Sequence, residues 1–101
     1  MQDIVRSKGG VSLRLTDERW THIVEEHSEM AGLRLDVLET VADPSVILEG
    51  NYGAFMAIRE IAGGKYLVVI YKETSDDGFV ITAFMTRRQR FLASRKRIWP
   101  G

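Results

Sequence analysis

Tyr66-Leu67-Val68-Val69-Ile70-Tyr71 is six consecutive residues with no charged side chain. In an extended strand successive side chains point to opposite faces, so both faces of this segment are apolar and both need cover. Lys65 to Glu73 is therefore expected to be a central strand, with a helix packed on at least one side. Its partners lie nearby. Ala54 to Ala62 reads as a strand with Phe55, Ala57, Arg59 and Ile61 on one face and Met56, Ile58 and Glu60 on the other, and Gly63-Gly64 supplies a hairpin turn. Asp77-Gly78 marks the next turn, succeeded by a strand from Phe79 to Met85, and Val46-Ile47-Leu48 precedes the Asn51-Tyr52-Gly53 turn.

Before Pro44 the periodicity is helical. Thr16 is placed to cap a helix, Asp17 and Glu18 fall in its first turn, and Trp20, Ile23, Val24 and His27 form one stripe. A second helix is expected from Leu33 to Ala42, with Leu35, Leu38 and Val41 on one face and Asp43-Pro44-Ser45 as its stop. Val11 to Leu15 alternates like a short strand, and Thr86 to Arg97 predicts a helix capped by Thr86. The class is α+β: two N-terminal helices packed on an antiparallel sheet of about four strands, with a C-terminal helix or tail.

The 101 residues, 45% hydrophobic and 28% charged, suit one soluble globular domain, with a core at about residues 11–88 and a basic tail over 87–101. Without cysteine there is no disulfide scaffold, thiolate nucleophile or sulfur-based zinc site. No segment has the pattern of a signal peptide or a membrane span, so a bacterial or phage cytoplasm is the expected compartment.

The net charge is zero, yet the charges are segregated. Residues 16–60 hold ten acids against Arg19, Arg34 and Arg59, a local charge of −7. From 61 onward eight basic residues face Glu73, Asp76 and Asp77, giving +5, and residues 1–15 carry +2. Between Arg87 and Gly101 six cations and no acid are interleaved with Phe91 and Trp99. That pattern suits phosphates with bases stacked on the rings, and equally a basic helix end paired with the acidic half of the same protein.

His22 and His27 are the only histidines. Five residues turn a helix by about 500°, so the two rings diverge by roughly 140° and do not form a chelating pair. His27 lies on the apolar stripe, either as a hydrogen-bonded histidine at the core edge or as a general acid or base in a cleft. Arg59 and Lys72 interrupt apolar strands, where a cation must reach an edge or meet an anion. Thr82 interrupts Val80-Ile81 and Ala83-Phe84; its hydroxyl either bonds the backbone or orients a phosphate. Tyr52, Tyr66 and Tyr71 are expected to be packing residues with wet hydroxyls. Thr86-Arg87-Arg88 stands at a helix start, where N–H groups favour an anion.

Five segments together resemble a family: Leu15 to Ile23, Glu26-His27-Ser28-Glu29-Met30, Ala42-Asp43-Pro44, Lys65 to Val69, and Val80 to Phe84. In order and spacing they are similar to small proteins of the barnase-EndoU-colicin-RelE group, and within it to phage-associated RelE-like nuclease domains. The resemblance covers about Val11 to Arg88. Ser28 stands where a proline commonly comes after the second histidine.

The resemblance implies helices against a curved antiparallel sheet and metal-independent RNA cleavage without a cofactor, often by the toxin of a toxin-antitoxin pair. It assigns catalysis to His22, His27, Arg59 and Thr82, while the position of Lys72 in an apolar strand and the basic run of Arg87, Arg88 and Arg90 make these four the expected substrate-binding cations. The expected partners are RNA and an antitoxin protein, with no membrane. From a different class comes a noncatalytic module that binds RNA or protein on the same fold. Complementary charge also suits a homodimer.

Overall fold

A computed structural model describes residues 1–75 and 77–101; the acid Asp76 lies outside them. The chain runs β1 (Gln2–Arg6), β2 (Ser12–Thr16), α1 (Asp17–Glu26), a 3-10 turn (Ser28–Met30), α2 (Arg34–Ala42), β3 (Val46–Glu49), a second 3-10 turn (Asn51–Gly53), β4 (Phe55–Ala62), β5 (Lys65–Glu73), β6 (Gly78–Thr86), α3 (Gln89–Ala93) and β7 (Arg97–Trp99). The strands form one sheet in the order β1-β2-β6-β5-β4-β3-β7.

β5 is the middle strand, and Leu67, Val68 and Val69 in it are fully buried. Two apolar layers account for this. On one face α1 and α2 pack through Ile23, Val37 and Val41 onto Leu13, Leu15, Ala57, Leu67, Val69 and Tyr71. On the other, α3 brings Phe91 and Leu92 onto Leu48, Met56, Ile58, Val68 and Phe84. Removing one such side chain from water is worth about 1.5 to 3 kcal/mol.

The α+β class stands, but its architecture needs correction. The sheet has seven strands and is mixed, and there are three helices, in place of the expected four or so antiparallel strands and two N-terminal helices. β2 and β6 run parallel, paired only through Leu13 to Gly78 and Arg14 to Phe79. β1 and β7 escape a pattern search for physical reasons. β1 is an edge strand that exposes Ile4, and β7 is three residues inside a basic run, recruited by pairing Trp99 with Ile47 and Arg97 with Leu48. The sheet therefore extends beyond residues 11–88 at both ends, and the basic stretch contributes a helix and a strand to it.

The expected helix over Thr86–Arg97 shrinks to five residues because the chain turns back to pair with β3. Thr86 does not cap it; its hydroxyl accepts from Arg88 N–H within a local turn. Thr16 does cap α1, accepting from Arg19 N–H at 3.0 Å, worth about 1 kcal/mol.

Two local features of β6 set which side chains reach the α3 side and how closely β2 approaches. Tyr71 pairs with Val80 and Ile70 with Thr82, so Ile81 is the extra residue of a β-bulge. Cross-strand partners share a face, so Thr82 joins Ile70 on the α3 side. At Gly78 the sheet tolerates no side chain: a Cβ would run into Leu13 Cδ2 and stand 2.6 Å from the Lys72 carbonyl.

Candidate nucleic-acid interface

On the α3 side of the sheet a groove of about 390 Å³ is floored by Met56, Ile70, Ile81 and Phe84, with Phe91 of α3 and the Asn51–Gly53 turn as walls. Lys72 and Arg95 stand in it. Both hold the turn: Lys72 Nζ donates to the Tyr52 carbonyl at 3.0 Å, and Arg95 donates to Asn51 Oδ1 at 2.8 Å. Tyr52 itself has φ 54°, a left-handed conformation uncommon for a bulky residue, and is 95% exposed. The expectation that Tyr52 packs is therefore reversed. The turn holds backbone strain and presents a ring to solvent, beside two cations and two further rings.

The sheet also separates charge. Glu18, Glu25, Glu26 and Glu39 project from α1 and α2 on one side, whereas Lys72, Arg90 and Arg95 lie with α3 on the other. In the acidic half, Arg34 is fully engaged. It reaches Asp3 at 2.7 Å, Asp17 at 2.9 Å and the Leu15 carbonyl at 3.2 Å, and this guanidinium beside Asp17 holds its carboxyl below the usual carboxylate range.

The expected catalytic group is dispersed. His22 is exposed on α1 with Glu25 Oε1 at 3.9 Å. Arg59 faces α2, 3.5 Å from Glu39 Oε2, in a cleft shared with Asp36 and Thr40. Thr82 points to the opposite face, and its buried Oγ1 has no hydrogen-bond partner among the described residues. His27, at the end of α1, stands beside the part of β6 that β2 leaves unpaired. Its ring lies 5.7 Å from that of Phe84, and Glu29 Oε2 is 3.9 Å from its Nδ1. Phe84 lines the groove, so His27 reaches its rim while His22 and Arg59 do not.

Of the expected substrate-binding cations, Lys72 is in the groove. Arg87 donates to the Gly63 carbonyl at the far hairpin, and Arg88 and Arg90 are exposed around the start of α3. Asn51, Tyr52 and Phe84 are site residues that the sequence alone does not single out. The alternation of basic and aromatic residues after Arg87 marks Phe91 and Arg95, but a left-handed Tyr52 has no pattern of its own. Among the described residues no three His, Asp or Glu side chains gather where a metal ion could be held. No helix among them is long and apolar enough to cross a membrane. Compared with known proteins, the chain matches no family model, no curated protein and no solved structure.

Proposed function

We propose that the protein binds single-stranded RNA in the groove under α3 and cleaves it without a metal, as a toxin-like endoribonuclease of the RelE type. The observation that carries this is the contact of His27 with Phe84, which sets an imidazole at the rim of a groove holding Lys72 and Arg95. Phosphates would meet Lys72 and Arg95, and bases would stack on Tyr52, Phe84 and Phe91. His27 would move the proton at the 2′-hydroxyl or the leaving oxygen, and Thr82, whose hydroxyl is buried on the same face of the sheet, would position its neighbours without touching the RNA. Arg59 has no part in this scheme because the sheet lies between it and the groove.

Such an activity calls for a compartment that holds RNA, the cytoplasm, and for a neutralising partner whose acidic surface would cover the groove. The test is incubation of purified protein with a mixed RNA pool in EDTA. Shortened RNA that persists in chelator supports the reading; full-length RNA at micromolar protein, with no growth defect on expression, sinks it.

A specific observation favours a second reading, a noncatalytic RNA- or protein-binding module. Only one histidine reaches the groove, so the acid and base are not both supplied by imidazoles. His27→Ala separates the two: a nuclease loses turnover with binding kept, and a binder is indifferent.

A further inference from the structure

A second pocket, of about 250 Å³, lies on the opposite face of the sheet, between the β1–β2 turn and β7. Its volume is below the roughly 300 Å³ at which drug-sized ligand sites begin, so it has room for one ring system. Phe55, Tyr71 and Trp99 line it, with the rings of Phe55 and Tyr71 5.5 Å apart. Its polar groups are the Glu73 carboxylate and the Lys8 ammonium, which sits 4.9 Å over the Trp99 ring.

The carboxylate is held in place. Glu73 Oε2 accepts from the hydroxyl of Ser7, which is only 5% exposed, whereas Oε1 has no donor among the described residues. Gly9 makes room for it, since a Cβ there would stand 3.0 Å from Oε2. Burial and the Glu73 charge push the Tyr71 hydroxyl above its ordinary pKa, so it stays a neutral donor.

We propose that this pocket is a nucleotide site selecting a guanine base, with the Glu73 carboxylate accepting from the paired N–H groups of the base and Lys8 meeting the phosphate. The charges discriminate between ligand classes. A carboxylate needs donors, and each oxygen accepts more than one, so Oε2 remains available beside Ser7. A cationic ligand would be repelled by Lys8, whereas an anionic ligand without donors would leave Glu73 unpaired. A neutral ring with two adjacent N–H groups and an attached phosphate satisfies both. Adenine presents a ring-nitrogen acceptor at the corresponding edge, where it would oppose the carboxylate. The proposal goes beyond RNA cleavage and requires neither the groove nor His27.

The experiment is calorimetric titration of the full chain with guanosine, adenosine and inosine monophosphates. Guanosine monophosphate should saturate one site, and the adenosine compound should bind at least about tenfold more weakly, because hydrogen bonds to a charged acceptor are lost. The inosine compound, lacking the amino group, should fall between. Glu73→Gln keeps an oxygen for Ser7 and should lose guanine selectivity at unchanged melting temperature. Lys8→Ala should weaken the monophosphate but not guanosine. No heat at millimolar guanosine monophosphate, equal affinity for the guanine and adenine compounds, or unchanged selectivity in Glu73→Gln would each overturn the proposal. The first two are read on the natural chain, so they hold whether or not the variants fold. Because mononucleotides are not cleaved, failure here leaves the ribonuclease test untouched, and the reverse.

Discussion

The ammonium of Lys72, in the central strand, donates to the main-chain carbonyl of Tyr52 at 3.0 Å, tying the left-handed turn to the floor of the groove. One side chain thus both supplies positive charge and steadies the ring that bases would stack on. Lys72→Ala is expected to weaken binding of unstructured RNA uniformly across sequences and to lower the salt slope by about 1. Tyr52→Ala should cost about 1 to 3 kcal/mol of binding with the salt slope kept. Filter binding over a salt series separates them, and equal slopes for Lys72→Ala and the natural chain would contradict the phosphate role.

His27→Ala is expected to reduce RNA cleavage by about 10² to 10⁴-fold while affinity for uncleaved RNA stays within about twofold, the usual effect of removing a general acid or base. His22→Ala, on the exposed side of α1, should leave turnover unchanged. Cleavage that survives His27→Ala in full would remove the imidazole from the mechanism.

Thr82 carries a buried hydroxyl without a partner among the described residues, a cost of about 1 to 3 kcal/mol. Thr82→Val replaces it with a similar apolar shape and should raise stability by about 1 kcal/mol in urea denaturation. If the hydroxyl positions its neighbours for cleavage, the stabilised variant will cleave more slowly. Gain in stability with cleavage unaltered would make Thr82 a structural residue only.

Gly78→Ala should destabilise the fold by about 1 to 3 kcal/mol, since the new methyl meets Leu13 and the Lys72 carbonyl at the junction of β2 with β6. Gly63→Ala is the control, with open space around its Cβ position. Urea midpoints that match between the two would refute the close approach.

Asp17 is held ionised by Arg34, so its folded pKa lies below the unfolded one. The stability it contributes is present above the ordinary carboxylate range and is lost as pH falls through the folded value. Arg34→Gln should therefore flatten the dependence of the urea midpoint on pH between about pH 5 and 3. A profile parallel to that of the natural chain would rule out the linkage.

The elements written by periodicity and capping are legible in the sequence: Thr16 does cap α1, Pro44 does stand between the end of α2 and the start of β3, and Tyr66 to Tyr71 is covered on both faces because both are apolar. The illegible elements depend on long-range pairing. Ile4 in β1 and Ile98 in β7 are exposed edge residues, and only their partner strands make those segments strands. Arg59 and Thr82 form a group by residue type, yet strand parity and the Ile81 bulge put them on opposite faces. Tyr52 reads as a packing residue because nothing local announces a tyrosine with positive φ.

The parallel junction of β2 with β6 joins residues 65 apart in the chain, Leu13 and Gly78, through only two register pairs. β4, β5 and β6 are linked instead by consecutive antiparallel turns. Loop closure of that length is costly before any contact rewards it, so the meander should assemble early and the β1–β2 hairpin dock last. It should also detach first, with amides of β2 exchanging faster in native-state hydrogen exchange than those of β5. When the hairpin parts from the sheet, it bares the N-terminal edge of β6 to pairing by another chain. Arg34, clasping Asp3 of β1 and Asp17 of α1, is then a guard against strand exchange between molecules as much as a brace within one.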